Sequence, residues 1–520
     1  MNWKKTLKYT GIIFILLLFI GFILMYRDGK RMYGGLTEQV QHEIFEPREG
    51  PFALTNVNIV SIDGDSIIPN QTVLIAEGLI SKVDTSLTIP QNHQTIDAQG
   101  KYLIPGLIDT HVHLFQSPND LLLYLANGVT QIRELIGEES HLKWKKEIDT
   151  GERFGPKMFV ASPRIGSFES LEGWFMTWSQ GYMNVQDAEQ AKEAVVELHS
   201  QGFDGIKIYS QINRESYMAI LETAKTLDMP VFGHVPWSLE LSEVWENGQS
   251  GIAHFEELMN ALSREFNDRR NIGSFYGQEE EFLKYVGQRC EDLAEDLIKN
   301  EIAVTSTLWL TESFAKQPFE IEQVLSEVEL EYENPGISEW VSYIPQGLGW
   351  LPEVNRYKLP DGLNETEREE YQTYWKTYVK GCQILAKELS RHGVKIMTGT
   401  DANLPPTVPG FSLHDELKSL NRAGMSPAQV LKSATAVPAV WLQSKSGKIQ
   451  PGYEANLVLL NKNPLENIGN TKTIHAVINK GQVFDRTLLD QMLAAVIEAN
   501  DNSRKVNIDV YSQAGTSQNP

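Results

Sequence analysis

Cysteine is nearly missing from this chain of 520 residues; only Cys290 and Cys382 are present. Two cysteines exclude a disulfide framework and a thiolate metal site, so any metal must be held by histidine and carboxylate. Positive charge is short as well. Lys and Arg number 46 against 68 Asp and Glu, a net charge of -22, which argues against nucleic acid because phosphate binding needs a basic patch. Apolar content is ample for a large core, at 41% hydrophobic and 9% aromatic residues. The length exceeds one small domain and suits a barrel of roughly 250 residues or more with insertions and an accessory domain.

One long apolar run is present, at the N-terminus. Gly11 to Tyr26 carries no charge and follows Lys4, Lys5 and Lys8. With Tyr9 and Thr10 it is just long enough to cross a bilayer. A cleaved signal peptide is the competing reading, but Met25-Tyr26-Arg27-Asp28 offers no small-x-small site. The expectation is an uncleaved single-pass membrane anchor over residues 1–31, with the catalytic part outside the cytoplasm. Arg27, Lys30 and Arg31 balance the lysines before the run, so the charge rule leaves the orientation weakly set.

After a polar linker over 32–51, short strand-like runs fill 52–104, and a matching set returns over 440–487. These two blocks predict a small β-sandwich domain built from both chain ends. Between them, over 105–439, apolar strands alternate with helical stretches, the rhythm of a parallel barrel. Eight strand candidates can be read in order: those ending at His113, at Arg133 and at Ala161, then Gly205–Tyr209, those ending at His234 and His254, Ala303–Thr307, and Ile396–Asp401. Eight is the number a (β/α)8 TIM barrel requires. A Trp-, Tyr-, Pro- and Glu-rich segment at about 311–365 fits no βα unit and reads as a lid. Residues 488–520 read as a C-terminal helix with a polar tail, disordered after about 500.

The chemistry gathers at strand ends. Asp109-Thr110-His111-Val112-His113 places two imidazoles two residues apart, on one face of a strand. Two neutral imidazoles side by side suit a borderline-soft divalent ion, zinc first. Lys207 sits in the fourth strand, His234 ends the fifth, His254 the sixth, and Asp401 the eighth. Each alone has a plain explanation, a hydrogen-bonded histidine or a helix cap. All six on the ends that this fold uses for catalysis form a constellation. The remaining histidines, His414 among them, and Glu416 read as ordinary.

At Gly106–His113, Gly205-Ile206-Lys207, Gly233-His234, Ala253-His254 and Gly399-Thr400-Asp401 the sequence resembles the amidohydrolase superfamily, in its imidazolonepropionase-like and Xaa-Pro dipeptidase-like branch. The likeness extends through Leu413–Leu417, Ala423–Pro427, Ser433–Thr435 and Gly447–Val458, from about residue 52 to 487. Asn456 departs from the usual Asp there, within the expected β-domain. The resemblance implies two divalent metal ions. His111, His113 and Asp401 would hold the more buried ion and His234 and His254 the other. Lys207, carboxylated by carbon dioxide to a carbamate, would bridge them.

A water between two dications becomes hydroxide near neutral pH. Asp401 would then act as general base and deliver the proton to a leaving amine. Tyr209 shares a face with Lys207 and reads either as a substrate contact or as a barrel-layer aromatic. The expected activity is metal-dependent hydrolysis of a C–N bond in an amide, cyclic amide or dipeptide-like small molecule. Ester, lactone or organophosphate hydrolysis on the same site is the alternative within enzymology, and a catalytically silent barrel scaffold is the alternative outside it. Deamination generally uses one metal, which Lys207 argues against. A homo-oligomer is compatible with all of these.

Overall fold

The computed structural model describes residues 3–63, 65–339 and 349–512. Helix α1 spans Trp3–Met32. An 18-residue window within its stretch Tyr9–Met32 has mean hydropathy 2.4, and none of that window is buried by the rest of the chain. By length and composition it suits a membrane span or a signal sequence alike.

Strands from both chain ends join in one eight-stranded sheet. Phe52–Ser61 is its hub, pairing antiparallel with Ser66–Ala76 and parallel with Gln94–Asp97 and Tyr102–Pro105. The far end of the chain enters where Leu457–Leu460 pairs with Tyr102–Pro105. Period-2 alternation divides the side chains between two cores. Leu457 and Leu459 join Phe52, Leu54 and Ile59 on one face, whereas Val458 and Leu460 face the main core of the protein. At roughly 1.5–3 kcal/mol per buried aliphatic side chain, this second face fastens the sheet to the α/β unit beside it.

That unit is a TIM-barrel-like α/β domain. Its strands are β1 (Leu107–Val112), β2 (Val129–Glu134), β3 (Lys157–Val160), β4 (Ile206–Ile208), β5 (Val231–Gly233), β6 (Gly251–Ile252), β7 (Ala303–Thr305) and β8 (Lys395–Met397). β1 to β3 pair in parallel, as do β4 to β8. Two sets of bonds tie these groups together. Asp204 N donates to Val160 O and Ser162 N to Gly205 O, while Thr110 N donates to Thr398 O at 3.0 Å and Asp401 N to His111 O at 2.8 Å. Arg133 fills the interior, its Nε donating to Thr110 O at 2.7 Å and its guanidinium lying 4.7 Å from the Phe232 ring and 4.6 Å from that of Trp441.

Two departures from the sequence reading stand out. The linker residues Met32, Val40 and Phe45 are buried, and Val40 N donates to Asn119 Oδ1 at 3.0 Å. The chain stays packed beyond residue 500 as far as Tyr511, against the expectation of disorder from about 500. Tyr511 is buried in a cluster with Leu325 and Trp350, and Arg504 pairs with Glu339 at 3.1 Å, each side chain only 6% exposed. Apolar and ion-pair contacts to a distant segment outweigh the local polarity of the tail. The expected lid contributes helices Leu308–Phe314, Gln317–Ser326 and Pro335–Glu339; its residues 340–348 and the tail residues 513–520 lie outside the described residues.

Candidate metal centre

Every sequence-predicted site residue lines one cavity of about 460 Å³ at the C-terminal ends of the strands: His111, His113, Lys207, Tyr209, His234, His254 and Asp401. The donor atoms of His111, His254 and Asp401 lie within 4.8 Å of one another. Asp401 Oδ1 is 2.7 Å from His113 Nε2 and 3.3 Å from His111 Nε2. His234 meets this group through its ring, 5.4 Å from that of His254 and 4.3 Å from that of Tyr209.

The backbone is bent to present these groups. His254 and Asp401 both have positive φ, at 74° and 59°, a conformation that non-glycine residues hold at a cost of order 1–3 kcal/mol when the surroundings enforce it. Gly399 is required beside them, because a Cβ there would come within 2.7 Å of His111 Cβ and 2.6 Å of Thr305 Cγ2.

Positioning residues surround the imidazoles. Asp109 Oδ1 accepts from His111 N at 3.2 Å and Thr400 N at 3.1 Å, and its Oδ2 accepts from Thr400 Oγ1 at 2.7 Å. Glu134 accepts from Leu114 N and Ile136 N and lies 3.9 Å from His113 Nδ1. Glu257 stands 3.0 Å from His234 Nδ1, which also meets Ser210 Oγ at 2.9 Å. Thr307 Oγ1 is 2.9 Å from His254 Nδ1. Such partners fix ring orientation and tautomer. None was singled out from sequence, although Asp109 lies inside the motif and Glu257 opens the helix after His254. Glu256, Arg164 and Arg356 also line the cavity.

Electrostatics make the centre a poor place for protons. Burial, with His254 and Lys207 nearby, holds His111 well below the usual histidine range. Burial likewise takes His254 down to about 3 and lowers the Lys207 ammonium to about 7. Asp401 is pushed up by burial, but His113, joined by His254 and Lys207, outweighs that and leaves it at about 2. The centre therefore offers neutral imidazoles at His111 and His254, an ionised carboxylate and an amine that gives up its proton near neutrality. At His113 burial opposes the proton, but the Asp401 and Glu134 carboxylates outweigh it and raise the affinity for one.

Several of these atoms lack the partner that burial demands. Lys207 Nζ, His111 Nδ1 and His113 Nδ1 have no hydrogen bond among the described residues. Four imidazoles, a carboxylate and an unpartnered amine in one buried cluster fit divalent metal in both number and chemistry.

Comparison with known proteins agrees with the geometry. The Amidohydrolase family model matches residues 351–484. Imidazolonepropionase of Pseudoalteromonas atlantica is 23% identical over 440 residues, covering 78% of this chain and 92% of that protein. A deacetylase of Agrobacterium fabrum is 34% identical over 76 residues, 14% of this chain, and the match spans only 19% of its own length. A solved Xaa-Pro dipeptidase with bound methionine in its active site shares the fold, with a TM-score of 0.57 at 17% identity over 84% of this chain and 100% of that one. The family match falls on β8 and the strands that return to the terminal sheet, so the residues around Asp401 and those that close the fold are the part of the chain most similar to the Amidohydrolase family.

Proposed function

We propose that this protein is a metal-dependent hydrolase that cleaves a C–N bond in a small amide, cyclic amide or dipeptide-like substrate. The observation that carries the reading is Lys207. The residue is 1% exposed and its amine has no hydrogen-bond partner among the described residues, in a cavity it shares with four histidines and Asp401. Its neutral amine can add to carbon dioxide, releasing one proton and leaving a two-oxygen anion where two ions would need a bridge. His111, His113 and Asp401 would hold one ion and His234 and His254 the other, zinc being the best match to such donors. Bound there, the ions would supply an acidified water and polarise the substrate carbonyl.

The remaining roles fall to the chain itself. Asp401, ionised and central, would take a proton from the attacking water and return it to the departing amine. Tyr209 is placed to contact the substrate, since its ring covers that of His234 on the cavity wall. Arg164 and Arg356 favour a substrate with an acidic group. We read the supporting architecture as a closed (β/α)8 barrel over 105–439, a composite β-sandwich domain over 52–104 and 440–487, and an N-terminal membrane anchor.

Elemental analysis of the full chain, prepared in detergent with bicarbonate, tests the reading. Close to two ions per chain, falling sharply in Lys207→Ala, supports it and justifies a screen of dipeptides, cyclic amides and lactones. One ion unaffected by Lys207→Ala points to a mononuclear enzyme instead, and none after reconstitution removes the mechanism.

A further inference from the structure

The catalytic cavity has a neighbour of mixed lining, with Lys30, Glu138 and Arg164 among its apolar residues. A second cavity of about 230 Å³ lies between α1 and helix α2 (Ser170–Gln180), lined by Phe22, Met25 and Tyr26 of α1 and by Trp178 of α2. The two cavities share Tyr33, Phe115, Ile136, Arg164, Ser179 and Gln180, so the groove beside α1 leads into the chamber that holds the histidines. Arg164 stands at the junction with an unpartnered Nε.

α2 itself is unusual for a surface helix. Leu171 is 83% exposed and Trp174 65%, with Phe175 and Trp178 more than a third exposed. Trp174 and Trp178 stack at 5.8 Å, one turn apart. An outward apolar and aromatic face of this kind marks an interaction surface. Its depth along α1 is also fixed. Trp178 shares its cavity with Met25 and Tyr26, the last residues before the charged stretch Arg27 to Arg31. That is the level at which tryptophan and tyrosine collect at membrane–water interfaces.

We propose that the catalytic mouth opens onto a bilayer surface, with α2 seated at the lipid interface beside α1, and that the substrate is a membrane-dissolved N-acyl amide whose hydrocarbon chain runs in the groove between the two helices. The proposal rests on the hydrolase reading above and on α1 remaining attached as a membrane span. Water adds to the acyl carbon, the C–N bond breaks, the proton passes to the nitrogen, and a fatty carboxylate and an amine leave. Continuity with α1 selects lipid over protein as the occupant of the α2 face, because a protein partner would have to share a surface at the depth of the headgroups.

Two measurements on the full chain in phosphatidylcholine vesicles test it. Brominated lipids should quench part of the tryptophan fluorescence, and that part should disappear in Trp174→Phe/Trp178→Phe. Quenching identical in the double variant overturns the seating of α2 and favours a protein partner or a second copy on that face. Hydrolysis of N-acetylglycine and N-dodecanoylglycine is then compared. A kcat/KM at least tenfold higher for the dodecanoyl compound is expected. Equal values overturn the substrate class while leaving the hydrolase reading intact. Hydrolysis of neither compound overturns the substrate class as well, and the metal analysis then decides the fate of the hydrolase reading.

Discussion

Asp401 and His111 are joined twice, through backbone and side chain. Asp401 N donates to His111 O at 2.8 Å, and Asp401 Oδ1 lies 3.3 Å from His111 Nε2. The contact joins the ends of β1 and β8 through the same residues that face the cavity. The geometry of the proposed site and the packing of these two strands are therefore coupled at this point, and changes nearby should register in both.

Thr400→Val tests that coupling. The hydroxyl of Thr400 bonds Asp109 Oδ2 at 2.7 Å, and burial has already raised the Asp109 carboxyl to about 7. Losing the donor leaves a buried carboxyl short of a partner, at roughly 1–3 kcal/mol. The expected result is a lower thermal midpoint together with a roughly 10–100-fold loss of kcat/KM, the usual effect of removing a residue that orients a ligand. A stability loss with unchanged kinetics would show that Asp109 serves the packing of β1 and β8 alone.

Metal removal should destabilise the fold as well as stop turnover. Ions that bind the folded chain and not the unfolded one raise stability by mass action, about 2.7 kcal/mol at a hundredfold excess over Kd. Chelation is expected to lower the thermal midpoint, and zinc to restore it. In His254→Ala the restoration should be weak, because His254 offers a donor within 4.8 Å of those of His111 and Asp401. Calorimetry with and without zinc reads the difference directly.

Much of the candidate centre was legible because its residues obey a positional rule. His111, Lys207, His234, His254 and Asp401 each lie within or just beyond a short apolar strand, and this architecture sets its chemistry at that end. The residues that orient them were hidden because their partners are distant in sequence. Thr307 acts on His254, and Thr400 on Asp109, only once the strands are side by side. Arg133 becomes an interior filler only when residues 232 and 441 bring their rings to it. The polar segment after α1 gave no hint that Met32 and Tyr33 would line the catalytic cavity.

A pH effect away from the centre is expected from His414. Its Nδ1 meets Thr471 Oγ1 at 2.9 Å, and burial, reinforced by Lys472, pulls it down to about 3. An unfolded chain takes up this proton near the ordinary histidine value of about 6.5. Below that value the unfolded state binds more protons, so the stabilising contribution is complete above about pH 6.5 and is lost as pH falls towards 3. One such histidine contributes at most about 1.4 kcal/mol per pH unit. Thr471 Oγ1 gives its own proton to Ile468 O, and His414→Asn keeps a donor for Thr471 without the titration. Its thermal midpoint should fall less steeply between pH 6.5 and 4.5 than that of the parent protein, and parallel slopes would contradict the assignment.

The Glu339–Arg504 pair yields the sharpest stability test, because it decides whether the C-terminal tail belongs to the folded unit. Glu339 Oε1 lies 3.1 Å from Arg504 Nη1, and Glu339 Oε2 accepts from Lys505 N at 2.8 Å. Arg504 also reaches Glu331 O at 3.1 Å and Glu333 O at 3.3 Å. Removing one member strands the other charge away from water, at roughly 3–5 kcal/mol, whereas replacing both by apolar residues of similar volume is often near neutral. Arg504→Met should therefore lower the unfolding free energy far more than Glu339→Met/Arg504→Met does. A double-mutant cycle by denaturant unfolding gives the coupling energy. Near-additive single effects would mean that the pair is solvated in solution and that the tail is not held there.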